Sequence, residues 1–154
     1  MSDVPAHPPV IVIPPGEGKT VRAFGSELIF HLTGEQTGGR SMLATIHSDP
    51  HSDGPPPHYH ENEDELFIVR EGHMSFFANG KWTEVGPGGV VFAPRKSVHT
   101  LKNTSDIPAR TLVYAAPSGF EVFFARCAEE FAKPGGPDMA RILAISAEHG
   151  IHYV

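Results

Sequence analysis

His58-Tyr59-His60-Glu61-Asn62-Glu63-Asp64-Glu65-Leu66-Phe67-Ile68-Val69-Arg70-Glu71-Gly72 is an imidazole pair, an acidic stretch and an apolar run closed by glycine. Side chains alternate along a strand, so His58 and His60 project from one face and Tyr59 from the other. Two imidazoles at that spacing are half of a chelate, and a carboxylate and a third imidazole would complete it. Parity matters for the carboxylate. In one unbroken strand Asp64 shares the histidine face and Glu65 opposes it, so Glu65 joins the pair only if the chain turns between them. Asn62 and its charged neighbours suit such a turn. Glu61, Glu63 and Asp64 then read as solvated loop acids, with Asp64 the alternative ligand.

Outward from this block the pattern is that of short strands. Apolar runs of four to eight residues span 21–24, 27–32, 41–47, 65–70, 74–78, 90–93, 98–102 and 111–115, lengths that favour strands over helices. Turn-forming stretches separate them at 34–39, 52–57, 79–80 and 86–89. Asn79-Gly80, between 74–78 and 82–85, is the strongest hairpin signal. After Pro117 the period changes. Phe120, Phe123, Phe124, Cys127, Ala128 and Phe131 follow one helical face, and a second helix is expected from Pro137-Asp138, with Met139, Ile142, Leu143 and Ile145 apolar and Gly150 beyond its end. The expected layout is an extended proline-rich arm over 1–19, an all-β barrel over 20–116 and a helical segment over 117–154. Both helices are expected to cover barrel surface away from any site.

The chain has 154 residues, enough for one domain that buries roughly 70% of its unfolded surface. Cys127 is the only cysteine, so no intrachain disulfide forms, as in proteins of a reducing compartment. The N-terminal run Val10 to Ile13 is too short for a signal segment or a membrane span, and a cytoplasmic protein is expected. A net charge of −6 with dispersed lysines and arginines argues against nucleic acid as a partner.

A second block follows the first: Gly88, Pro94, His99 and Asn103 around another strand. Together the blocks resemble the cupin family. Its first motif is met by His58, His60, Glu65 and Gly72, and its second by Gly88, Pro94, His99 and Asn103. Two positions depart from it. Lys96 stands where the family has a turn glycine, so the loop before His99 is expected to take another conformation. Gly54 stands nearer His58 than the opening glycine should, displaced by Pro55-Pro56-Pro57. The resemblance implies a double-stranded β-helix, or jelly-roll barrel, with two short C-terminal helices. It also implies one divalent transition metal per chain, Fe, Mn, Ni, Co, Cu or Zn, held by His58, His60, Glu65 and His99, a nitrogen and oxygen set suited to those ions.

The single-domain layout is further similar to bacterial cupins of the quercetin (flavonol) dioxygenase-like group. By that likeness Glu65 would be both ligand and catalytic base, with a small aromatic, flavonol-like or diketone-like molecule and dioxygen as reactants. Phe67 and Val69, in phase with Glu65, and Leu101, in phase with His99, would line the pocket. A homodimer is implied as well. The competing readings are a metal-dependent isomerase or lyase, which needs no dioxygen, and a non-catalytic sensing module, since fold does not fix function.

Overall fold

A computed structural model describes residues 7–154. The first six residues of the expected arm lie outside the described residues. Val10 and Val12 are exposed, and regular structure begins with strand β1.

Eleven strands and three helices follow in the order β1 (Lys19–Ala23), β2 (Ser26–Leu32), α1 (Gly34–Thr37), β3 (Met42–Ser48), β4 (His58–His60), β5 (Asp64–Glu71), β6 (Met74–Ala78), β7 (Lys81–Val85), β8 (Val90–Ala93), β9 (His99–Lys102), β10 (Ala109–Ala116), α2 (Phe120–Phe131), α3 (Met139–Glu148) and β11 (Ile151–Tyr153). They form two antiparallel sheets. One runs β1-β2-β3-β10-β5-β8 and the other β11-β4-β9-β6-β7. The predicted Asn79-Gly80 hairpin is present: both residues have positive φ and Ala78 faces Lys81 across the turn, the geometry that matches strand twist. Phe24 does not continue β1. With Gly25 it makes a second such turn, both at positive φ, between Ala23 and Ser26.

Alternation sets which side chains enter the core. Along β5, Glu65, Phe67 and Val69 are buried while Leu66 and Ile68 are only partly so. Along β3 and β10 the inward residues are Met42, Ala44 and Ile46, then Thr111, Val113 and Ala115. The facing sheet contributes Met74, Phe76 and Leu101. Each large apolar side chain removed from water contributes about 1.5–3 kcal/mol, and this interior is the space into which Glu65 projects.

The segment after Pro117 differs from the expected layout in two ways. It ends in a strand, β11, which pairs Ile151 with His60, His152 with Tyr59 and Tyr153 with His58. Helix α2 also lies over the barrel interior rather than remote from it. Its orientation is fixed by Glu121, whose buried carboxylate accepts hydrogen bonds from the Gly119 and Gly34 amides, satisfying orphan donors at the starts of α2 and α1. Asp138 caps α3 by accepting from Ala140 and Arg141. Ile142 and Ile145 are buried, whereas Met139 and Leu143 are exposed.

Candidate metal centre

Four side chains meet between the sheets. His58 and His60 come from β4 and His99 from β9, which faces it with His58 opposite His99. Glu65 comes from β5 in the other sheet. All four are buried, and one nitrogen or oxygen from each lies within 4.8 Å of the others. The parity conflict is resolved by the crossing between sheets: residues 61–63 leave β4, and β5 begins a new phase at Asp64. Asp64 therefore points outward. Its carboxylate accepts from the Arg95 backbone amide at 2.9 Å and from the Arg95 Nε at 3.1 Å, and the pairing holds Asp64 below the ordinary carboxylate range.

The imidazoles are oriented from behind. His58 Nδ1–H donates to the Pro56 carbonyl at 2.8 Å and His99 Nδ1–H to the Ser97 carbonyl at 2.9 Å, since a carbonyl only accepts. His60 Nδ1 is 3.0 Å from Glu63 Oε1. Each ring thus keeps Nε2 as its free ligand atom. Glu65 Oε2 lies 2.7 Å from His99 Nε2 and 3.3 Å from His60 Nε2, yet His60 Nε2 is buried with no hydrogen-bond partner. Lone pairs of neutral imidazoles facing a carboxylate repel unless a cation lies among them. A proton answers that need for one ring. A divalent metal answers it for all three, so the donor set fits such an ion.

Charge couples these groups. Burial, aided by the neighbouring His99 and His60, lowers His58 to about 4, so it is neutral at pH 7. Burial also disfavours charge on His60, but Glu65 and the Glu63 hydrogen bond outweigh it and raise its pKa above that of an ordinary imidazole. Burial alone would raise Glu65, and the imidazoles, His60 foremost, overcome this and hold it at about 2.

Glu63 is not a solvated loop acid. It is 4% exposed and buried behind His60. Nothing in its acidic surroundings distinguished it; the readable signal was its position three residues after a histidine, within the turn that parity required. The loop before His99 also differs from expectation. Lys96 adopts φ +71°, the left-handed conformation a glycine would take, and its amide donates to the His60 carbonyl at 2.7 Å. Gly54, for its part, passes so close to the Leu101 carbonyl that a Cβ would collide with it. Asn103 is a loop staple, donating to the Ser48 and Ile107 carbonyls and accepting from Ser105.

The cluster opens onto a cavity lined by side chains of both sheets and of α2. Phe67 and Leu101 line it, whereas Val69 does not and is fully buried in the core beyond. Phe120, Phe123 and Phe124 of α2 and Phe24 of the β1–β2 turn also line it. Their rings pack together, Phe24 lying 6.2 Å from both Phe123 and Phe124. Phe120 reaches to 6.1 Å from His60. The phenylalanine stripe read as packing away from the site is instead its aromatic wall.

Two antiparallel sheets closed on a buried histidine and glutamate cluster define a jelly-roll barrel with a candidate metal centre. Residues 44–114 match the family model of the cupin domain. It is 25% identical over 125 residues to quercetin 2,3-dioxygenase of Bacillus subtilis and 28% identical over 144 residues to a probable oxidoreductase, patJ, of Penicillium expansum. The matches take in 80% and 86% of this chain but only 36% and 43% of those relatives' lengths. Among solved structures, the polyketide cyclase RemF of Streptomyces resistomycificus superposes with a TM-score of 0.60 at 28% identity, over 71% of this chain and 80% of that one. A predicted oxalate decarboxylase of Thermotoga maritima superposes at 0.64 and 23% identity, over 70% and 99%, a likeness of fold alone. No helix among the described residues is long and apolar enough to cross a membrane.

Proposed function

We propose that the protein is a metal-dependent dioxygenase acting on a small aromatic, flavonol-like or diketone-like molecule. The observation that carries this is a buried set of three imidazoles and one carboxylate at the floor of an aromatic-walled cavity. A divalent transition metal held by His58, His60, Glu65 and His99 would supply Lewis acidity or dioxygen activation. The chain's own groups do the rest. Phe24, Phe67, Phe120, Phe123 and Phe124 exclude water and offer faces to a flat ring. Glu65 would take a substrate hydroxyl proton. Both imidazole contacts fall on its Oε2, leaving Oε1 as the oxygen a hydroxyl would reach. A carboxylate held at about 2 is a weak base, so proton uptake requires those contacts to loosen as substrate enters.

Elemental analysis of untagged protein, followed by oxygen uptake with a panel of flavonols and β-diketones, tests the proposal. About one metal per chain with uptake on at least one compound is expected. Bound metal with no uptake on any of them would overturn it. The likeness to a polyketide cyclase, which extends over most of that protein, favours a second reading: ring closure or isomerisation at the same site without dioxygen. Turnover that persists under strict anaerobiosis selects the second reading.

A further inference from the structure

Of the three imidazoles, two are held from behind by backbone carbonyls and one by a carboxylate. We infer that Glu63 is the positioning residue of the metal centre, fixing the His60 ring and supplying the second negative charge that makes the buried cluster complementary to a divalent cation. The inference rests on the metal-site reading above but not on the reaction.

Geometry singles Glu63 out. It is buried, its Oε1 meets His60 Nδ1 at 3.0 Å, and the two residues before it are both fastened to the end of α3. The Glu61 amide donates to the Gly150 carbonyl at 2.8 Å and Asn62 Nδ2 to the His149 carbonyl at 3.3 Å. A buried carboxylate held this firmly is costly without a compensating cation. Glu65 and Glu63 together oppose two charges to one divalent ion, whereas His58 and His99, backed by neutral carbonyls, add none. A carboxylate behind a ligating imidazole fixes its tautomer and raises its basicity.

The test compares Glu63→Gln, which preserves size and can still accept from Nδ1–H, with Glu63→Asp, which preserves charge at shorter reach. Co²⁺ affinity is measured by chelator competition, the visible spectrum of the Co²⁺-saturated protein is recorded, and near-ultraviolet circular dichroism checks the fold without metal. If Glu63 acts through charge, Glu63→Gln binds Co²⁺ about 10–100-fold more weakly than wild type, shows a shifted visible band, and binds more weakly than Glu63→Asp. If the glutamine variant binds as wild type does, or better than the aspartate variant with an unshifted band, Glu63 is only a space-filling hydrogen-bond acceptor and the inference is overturned. Should the glutamine variant misfold, Glu63→Asn, equal in size to the aspartate variant but uncharged, replaces it with the same three measurements and the same criterion. Wild-type protein that binds Co²⁺, but that with its native metal shows no oxygen uptake on any compound of the panel, removes the dioxygenase reading and leaves these comparisons standing. Failure of wild type to bind Co²⁺ overturns both.

Discussion

The two sheets contribute to the centre on unequal mechanical terms. Glu65 sits near the start of an eight-residue strand paired on both sides, to β10 and β8. His58 and His60 sit on a three-residue strand that meets β9 at a single residue pair and is otherwise completed by β11. One wall of the site is therefore part of a continuous sheet. The other is a short strand held by the C-terminus and by the bond from the Lys96 amide to the His60 carbonyl. Local stability follows such differences in pairing, and the imidazole side is expected to yield first.

The largest effect should come from removing a ligand. His99→Ala takes one imidazole from the five-stranded sheet and leaves Glu65 without its 2.7 Å contact. Metal affinity measured by competition should fall more than about 100-fold, beyond the 10–100-fold typical of supporting residues. Retained affinity would mean His99 is not a ligand. Deleting residues 151–154 tests support rather than ligation. It removes the three pairs that complete β4 and should weaken metal binding by about 10–100-fold, in the range of a lost supporting contact. Hydrogen exchange should rise at β4 and stay slow in β5 and β10, and equal acceleration in both sheets would refute the contrast between them.

A smaller effect is expected from pH. The carboxylates around His60 raise its pKa above the ordinary imidazole value, and a protonated ring cannot bind metal. Affinity should therefore be full above that raised pKa and should decline below it, by up to about tenfold per pH unit for each proton displaced. The loss should already be under way at pH 6.5. An affinity flat from pH 7.5 to 6 would show that His60 is not a ligand or that its carboxylate neighbours do not act on it.

Much of this centre was legible in the chain because local rules govern it. The spacing of His58 and His60 fixed their common face, and Asn79-Gly80 fixed its hairpin through dihedral demands that few residues meet. Glu65 was legible only through family spacing, because the parity rule holds within one strand and the chain changes sheet between residues 60 and 64. What escaped depended on tertiary placement. Ile151 to Tyr153 is too short to announce a strand, and it exists as one because β4 offers an unpaired edge. The stripe from Phe120 to Phe131 correctly indicated a helix, but periodicity specifies an apolar face and not what that face covers. Glu63 shared its composition with Glu61 and Asp64, which are at least partly exposed, and only folding put its carboxylate behind His60.

Lys96 offers the finest adjustment of the comparison, since it joins the loop before His99 to the less supported strand. At φ +71° an L-residue bears roughly 1–2 kcal/mol of steric cost. Glycine avoids that cost but loses about 0.5–1 kcal/mol through the greater freedom of the unfolded chain. Lys96→Gly keeps the amide that bonds His60 and should stabilise the protein by up to about 1 kcal/mol, raising the melting temperature by about 2–4 °C at this size. Metal affinity should be unchanged, because Lys96 is exposed and lines no part of the cavity. A lower melting temperature would show that the lysine side chain stabilises the loop by more than its backbone conformation costs. Unchanged stability combined with weaker metal binding would instead show that stiffness at residue 96, transmitted through the His60 carbonyl, helps to set the imidazole wall.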